Sequence, residues 1–127
     1  MTPWETAVCQ RAVEAFGKEH QLIICMEEMA ELTKELTKHL RGRDNLPQIA
    51  EEVADVEIML EQLKLLFDLR GAVSDAKEAK LIRLQEMSAK REKEVAEIKA
   101  IMANWIDADI KRSDALHFTI PMTETPE

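Results

Sequence analysis

A chain of 127 residues with a formal net charge of −8 is long enough for one helical domain and too acidic for nonspecific binding to DNA or RNA. Its three glycines, four prolines and lack of tyrosine, beside abundant Ala, Leu, Glu and Lys, predict an all-α protein. Two cysteines exclude a disulfide framework and a cysteine-rich zinc site, and no apolar run is long enough to span a membrane. Without a signal-peptide pattern, we expect a soluble cytoplasmic protein.

Three helices are predicted in the first part of the chain. Apolar residues at helical spacing predict a first helix over residues 4–17 and a second over about 19–40, with Gly17 and Gly42 as stops. Asn45 is a candidate N-cap for the third helix, which we expect to end at Gly71. The third helix carries an apolar face formed by Ile49, Val53, Val56, Leu60, Leu63 and Phe67. We expect the second and third helices to fold back on each other as an antiparallel helix hairpin, the base of a helical bundle completed by oligomerisation.

The remainder of the chain predicts a further helix from Ser74 or Asp75. A charged run at residues 88–94 interrupts its apolar edge, so the pattern allows one long helix or two helices joined near residue 90. The apolar pattern ends after Lys111. We therefore assign residues 1–112 to a single all-α domain with an extended helical segment from about residue 87, and residues 113–127 to an irregular tail.

Two acidic pairs carry most of the functional information. Glu28 and Glu31 lie on the second predicted helix, and Glu52 and Asp55 lie on the third. The i, i+3 spacing places both carboxylates of a pair on one side of a helical turn. A hairpin of the two helices would bring the four carboxylates together, and bound divalent cations would relieve their mutual repulsion.

Projection onto a helix of 100° per residue separates these carboxylates from their neighbours. Glu52 falls inside the apolar stripe of the third helix, where a charge is costly unless it is paired or bound to a cation. Glu57 and Glu61 project to the opposite side and are expected to be ordinary solvated charges, while Glu35 is a candidate fifth carboxylate. An acidic pair alone often marks only a solvated helix face. Two pairs at the core-facing edge of consecutive helices favour a metal site.

The ligand types indicate which metal the site would hold. Sites made only of carboxylate oxygens suit Mg²⁺ or Mn²⁺, whereas zinc prefers Cys and His. Di-iron helical bundles require Glu-x-x-His on two helices. The residues three positions before the histidines are Gly17, Leu36 and Asp114, so the di-iron motif is missing.

The spacing of the acidic pairs resembles a known family signature. Glu28-Met-Ala-Glu31, a 20-residue interval and Glu52-Val-Ala-Asp55 resemble the ExxE…ExxD motif of MazG-like all-α nucleoside triphosphate pyrophosphohydrolases. A later Lys80-Leu-x-Arg83 is similar to the basic motif on the family's following helix. The resemblance covers about residues 16–85 and leaves the charged segment from residue 87 outside it.

The resemblance implies a chemistry for these residues. Such enzymes cleave a nucleoside triphosphate into the monophosphate and pyrophosphate, which implies Mg²⁺, or Mn²⁺, held by Glu28, Glu31, Glu52 and Asp55. A bound metal makes water nucleophilic and neutralises charge on the attacked phosphoryl group. We expect Glu31, or as a second choice Glu28, to accept the proton of that water.

Phosphate and base contacts are also implied by the resemblance. Lys80 and Arg83 would contact the outer phosphates, with Lys34 as a weaker candidate. The residues available for the base are His20, Gln21 and Trp4, although helix packing is the simpler interpretation of the tryptophan. A member of this family is expected to be a homodimer or a dimer of dimers.

A second function of another class remains open. The protein would then be a noncatalytic helical interaction or oligomerisation module that retains the fold. The extended segment over residues 87–111 supports this alternative, because it is typical of a partner-binding helix.

Overall fold

A computed structural model describes residues 1–117, and in this part of the chain it contains helices and no strand. The prediction of an all-α protein is therefore confirmed. None of the helices in the described range is both long enough and apolar enough to cross a membrane. The helices, in chain order, are α1 (Pro3–Phe16), α2 (Lys18–Leu40), α3 (Leu46–Leu66) and α4 (Arg70–His117).

Helix α1 is defined by its caps. The Thr2 hydroxyl accepts a hydrogen bond from the backbone N–H of Glu5, and the Glu5 carboxylate accepts one from the backbone N–H of Thr2. This reciprocal capping box, with Pro3 at the helix start, satisfies backbone donors that the first turn leaves unpaired. Gly17 separates α1 from α2 with a φ of 88°, a backbone conformation that favours glycine. The predicted break at Gly17 is correct.

Helices α2 and α3 form the most extensive helix–helix contact of the first part of the chain. Gln21, near the start of α2, donates to the side-chain oxygen of Gln62, near the end of α3, at 2.6 Å. Both side chains are buried, and the Gln62 amide also donates to the Met59 sulfur at 3.6 Å. A buried, hydrogen-bonded amide pair therefore links the two helices.

We expect Gln62→Leu to destabilise the fold by about 1–3 kcal/mol, because it leaves the buried amide of Gln21 without its acceptor. Urea denaturation followed by circular dichroism measures this change. The matched control is Gln10→Leu, since Gln10 is exposed and its side chain bonds to Glu14 on the surface. That variant should change the free energy of unfolding by less than about 0.5 kcal/mol. Equal effects of the two substitutions would contradict a structural role for the buried pair.

The turn between α2 and α3 differs from the expected capping. Gly42 has a φ of 91° and its N–H donates to the carbonyl of His39, as the predicted helix stop requires. Asn45 precedes α3, but its side chain does not cap that helix. It donates instead to the backbone oxygen and the carboxylate of Glu35, at 2.9 and 2.7 Å. Asn45 therefore ties the start of α3 to the end of α2.

The end of α3 also differs from the prediction. The helix stops at Leu66, and the chain turns at Asp68, which has a positive φ of 51°. Gly71 does not end α3, because it lies in the first turn of α4. Helix α4 is one helix from Arg70 to His117. Of the two interpretations of the sequence pattern, one long helix or two helices joined near residue 90, the structure therefore shows the first. Residues 113–117, placed in the irregular tail by the sequence pattern, are helical, and residues 118–127 lie outside the described range.

Glu61 is buried, so the prediction that it is a solvated charge is wrong. Its carboxylate accepts a salt bridge from Lys64 at 2.7 Å and a short one from Arg70, which also donates to the hydroxyl of Thr6. The hydrogen bond from Lys64 and the nearby charges of Lys64 and Arg70 lower the pKa of Glu61, against the opposing effect of burial. Arg70, at the start of α4, thereby links α1 and α3.

The chain divides into two units, Met1–Glu78 and Ala79–Glu127. In the first unit, the buried apolar side chains are only those of Cys9, Cys25 and Met59. The predicted core face of α3 is partly open, since Val53 and Leu60 are 38% and 40% exposed. A single copy of this unit thus leaves a substantial apolar surface in water.

Candidate metal centre

Three of the four predicted metal ligands converge in the first unit. Glu28 and Glu31 come from α2 and Glu52 comes from α3, and one carboxylate oxygen of each lies within 4.8 Å of the others. The contact between α2 and α3 brings the two helices' carboxylates together. The i, i+3 spacing on α2 then presents two of them to the third.

Glu52 is the least satisfied member of this group, which we call the carboxylate cluster (Glu28, Glu31 and Glu52). Its Oε2 atom is buried and has no hydrogen-bond partner among the described residues. Within residues 1–117, neither Glu52 nor its two neighbours is paired with a lysine or an arginine. A carboxylate oxygen removed from water without a donor is costly, so this atom is available to a cation.

The electrostatics of the cluster agree with its geometry. Burial raises the pKa of Glu52, and the charges of Glu31 and Asp55 raise it further. Burial likewise raises the pKa of Glu28, with added contributions from Asp55, Glu31 and Glu52. The pKa values of both residues are thus raised first by burial and second by neighbouring negative charge.

Asp55, the fourth predicted ligand, lies at the edge of the cluster. It is exposed and does not belong to the set of oxygens within 4.8 Å. Its charge nevertheless raises the pKa values of Glu28 and Glu52, so it lies within electrostatic range of both. The structure therefore brings together three predicted ligands and leaves Asp55 as a neighbour.

Glu35, the candidate fifth carboxylate, is already engaged by other side chains. Lys38 donates to one of its oxygens at 2.9 Å and Asn45 donates to the other at 2.7 Å. These two hydrogen bonds lower the pKa of Glu35. The Oδ1 atom of Asn45 is buried and has no hydrogen-bond partner within residues 1–117. Sequence reasoning missed this role of Asn45, because a residue before a helix is read first as that helix's own cap.

The donor set of the carboxylate cluster fits a hard divalent cation. All the donors are carboxylate oxygens, the ligand type that Mg²⁺ and Mn²⁺ prefer. Two oxygens on one Mg²⁺ ion lie at most about 4.2 Å apart, twice the bond length of about 2.1 Å. Oxygens that are already within 4.8 Å of each other need only small side-chain rotations to reach that spacing.

The predicted phosphate-binding residues are solvent-accessible. Lys34 lies on α2, one turn after Glu31, and is exposed. Lys80 and Arg83 lie in the second unit, where both are exposed. Contact of these three residues with phosphate stays a prediction.

The predicted base-binding residues have different environments. Trp4 is 71% exposed on α1. His20 is exposed and stacks on Phe16 across the α1–α2 break, with ring centroids 5.4 Å apart. Gln21 is buried between His20 and Gln62, and its side chain bonds to both. The rings of Trp4 and His20 are accessible, whereas the amide of Gln21 is held inside the first unit.

In comparisons with models of known protein families, with curated proteins and with solved structures, nothing matches this chain. What points to a functional site is therefore the geometry of the carboxylates together with their motif.

Proposed function

We propose that the protein is a Mg²⁺-dependent nucleoside triphosphate pyrophosphohydrolase, which releases the nucleoside monophosphate and pyrophosphate. The observation that carries this proposal is the convergence of Glu28, Glu31 and Glu52, with an oxygen of Glu52 buried and unpartnered. The ExxE…ExxD motif formed by these residues and Asp55 supports it, since this motif resembles that of the MazG-like enzymes.

In this proposal the four carboxylates have different roles. The cluster, with Asp55 at its edge, binds Mg²⁺ or Mn²⁺; a bound cation of this kind activates water and offsets the charge of the attacked phosphate. Glu31, the most accessible member of the cluster, accepts the proton of the attacking water. Glu28 is the second choice for this role, and its raised pKa moves it towards the range in which a general base works best.

Positive and aromatic side chains complete the proposed site. Lys34, Lys80 and Arg83 stabilise the charge of the outer phosphates and of the leaving pyrophosphate. Trp4 and His20 stack on or bond to the base, and Gln21 supports the ring of His20 from within, by a 2.7 Å contact. A nucleoside triphosphate substrate implies a cytoplasmic location.

Oligomerisation belongs to the same proposal. We propose that α2 and α3 form an antiparallel hairpin whose open apolar face packs against another copy, as a homodimer or a dimer of dimers. Val53, Ile58 and Leu60 on α3 are each at least 38% exposed in the single chain. Burial of such side chains contributes about 25 cal/mol for each Å² of apolar surface removed from water.

A noncatalytic interaction module is the second candidate function. It is favoured by one observation, the row of exposed apolar side chains on α4 in the second unit. Such a module predicts no turnover and needs no cation, which separates it from the enzyme.

The test is a pyrophosphate-release assay over a panel of canonical, methylated and oxidised nucleoside triphosphates with Mg²⁺ or Mn²⁺. We expect at least one nucleotide to yield equimolar monophosphate and pyrophosphate, with complete loss of activity in excess EDTA. Isothermal titration calorimetry with Mg²⁺ and Mn²⁺ measures cation binding without a substrate. A folded protein that binds neither cation and hydrolyses no nucleotide of the panel would exclude the enzyme and leave the interaction module.

A further inference from the structure

Helix α4 carries an apolar seam within the second unit. Steps of alternating three and four residues along it define the seam residues, which are Leu81, Leu84, Ser88, Arg91, Val95, Ile98, Met102, Trp105, Asp109, Arg112 and Leu116. All but four of these are large apolar residues. An average spacing of 3.5 residues is the repeat by which two α-helices pack as a coiled coil.

The seam is open to solvent in the single chain. Ile98 is 51% exposed, Met102 is 55% exposed and Trp105 is 70% exposed. The described part of the second unit is a single helix, and this part contains no second element that covers the seam. Helices in water gain most of their stability from the packing of an apolar face. A second helix is therefore the expected occupant.

The polar seam residues identify that helix as a second copy of the same segment. In an antiparallel pair with residue 100 of the two chains at the same level, Ile98 lies opposite Met102 of the second copy, and Val95 lies opposite Trp105. In the same alignment Arg91 lies opposite Asp109 of the second copy. In these pairs an apolar residue thus meets an apolar one, and Arg91 and Asp109, two of the three charged interruptions of the seam, meet as opposite charges.

The residue pairs towards the two ends of this alignment can also face each other without a clash of like charges. Ser88 lies opposite Arg112 of the second copy, and Leu84 lies opposite Leu116. Within one chain, Arg91 is 3.7 Å from Glu94 and Arg112 is 3.7 Å from Asp109, with side chains between 47% and 76% exposed. Exposed pairs of this length contribute little, so they do not prevent the charged groups from turning towards a partner.

A parallel pair in register lacks this complementarity. It would place Arg91 against Arg91 and Asp109 against Asp109 of the second copy, and like charges at a desolvated seam are strongly unfavourable. We propose that residues 81–116 form an antiparallel two-stranded coiled coil with the same segment of a second copy. This inference does not depend on the metal centre or on the proposed hydrolase activity.

Distances between spin labels on the full chain test the orientation. Ala100→Cys and, in a separate protein, Glu86→Cys each place a nitroxide label on an exposed position outside the seam. The native Cys9 and Cys25 are 3% exposed and burial raises the pKa of both thiols, so brief labelling near neutral pH modifies the introduced cysteine. The unsubstituted chain is the control for this selectivity.

Pulsed electron–electron double resonance should give a short distance for the label at residue 100. For the label at residue 86 it should give a separation of about 42 Å along the helix axis, at 1.5 Å per residue. Equal distances at the two sites would show a parallel pair and overturn the proposal. A lack of dipolar coupling at residue 100 would show another partner or none, and would overturn it equally.

Charge reversal at the seam tests the register. In the Ala100→Cys background, Arg91→Asp places two carboxylates opposite each other. The dissociation constant of the pair is measured from the fraction of coupled labels as the protein is diluted, and we expect it to rise at least tenfold. Adding Asp109→Arg should restore the coupling. The matched control is Lys90→Asp, the same change of charge at an exposed position outside the seam. Coupling that survives Arg91→Asp, or that the double variant does not restore, overturns the proposed register.

Discussion

Glu52→Gln is expected to reduce the affinity for Mg²⁺ or Mn²⁺, and with it the release of pyrophosphate, by at least about a hundredfold. Loss of a group that only orients a metal ligand already costs 10–100-fold in affinity or activity. Glutamine keeps the size of the side chain and removes the negative charge from the one oxygen of the cluster that is buried and unpartnered. Calorimetry with each cation and the pyrophosphate assay give the two readouts.

Glu57→Gln is the matched control for this substitution. Glu57 lies on the same helix and undergoes the same chemical change, but it is exposed and does not belong to the carboxylate cluster. We expect cation affinity and turnover to remain within about twofold of the parent, as for surface substitutions in general. Equal losses in the two variants would show that cation affinity and turnover depend on the negative charge of α3 and not on the geometry of the cluster.

The thermal stability of the Glu52→Gln variant distinguishes the loss of a metal ligand from the loss of the fold. Without a cation, the parent protein keeps a desolvated carboxylate at Glu52; burial raises its pKa, and the charges of Glu31 and Asp55 raise it further. Removing such a charge relieves repulsion, so we expect a thermal midpoint at least as high as that of the parent. A variant that loses cation binding and also melts earlier would contradict this account of Glu52.

Helices and breaks of the first unit follow closely from local sequence signals. Gly17 and Gly42 end helices because both adopt a positive φ that few other residues tolerate. The same reasoning failed at Gly71, because the chain turns earlier, at Asp68. Aspartate is one of the few residues besides glycine that enters the left-handed region at modest cost. A local pattern therefore predicts a break better than it predicts which residue makes it.

Projection of a single helix could not predict side-chain partners that lie on other helices. Projection placed Glu52 at the core-facing side of α3, and the structure shows its Oε2 atom buried. Projection also placed Glu61 in solvent, yet Arg70 of the following helix reaches it and Lys64 pairs with it. The angular position of a residue is a property of one helix, whereas its burial depends on what packs over it.

The dependence of stability on pH should have opposite signs with and without a bound cation. Burial and neighbouring carboxylates raise the pKa values of Glu28 and Glu52 above the ordinary value of 4.5. A group whose pKa is raised by folding holds its proton more tightly in the folded state, so stability falls as pH rises through the folded pKa. Cation-free protein should therefore lose stability between pH 4.5 and the raised pKa values.

Below that window the sign reverses. Salt bridges and hydrogen bonds lower the pKa values of Glu61 and Glu35 from 4.5, so their contribution is complete above this value and is lost as pH falls through the lowered values. Cation-free protein should consequently be most stable in mildly acidic solution. Chemical denaturation in EDTA, at pH steps from 3.5 to 7.5, measures this maximum. Glu52→Gln should flatten the decline towards neutral pH, and Glu57→Gln should leave it unchanged.

A saturating cation should convert the decline into a rise. Binding to the folded state alone stabilises by about 2.7 kcal/mol at a concentration a hundred times the dissociation constant. Ligand carboxylates must be deprotonated to bind, so this stabilisation grows with pH through the interval in which Glu28 and Glu52 lose their protons. When the denaturation series is repeated with Mg²⁺ or Mn²⁺, the stability should coincide with the EDTA curve at low pH and rise increasingly above it as pH increases. Two curves that stay superimposed up to pH 7.5 would show that the cluster binds no cation, whatever its effect on the cation-free protein.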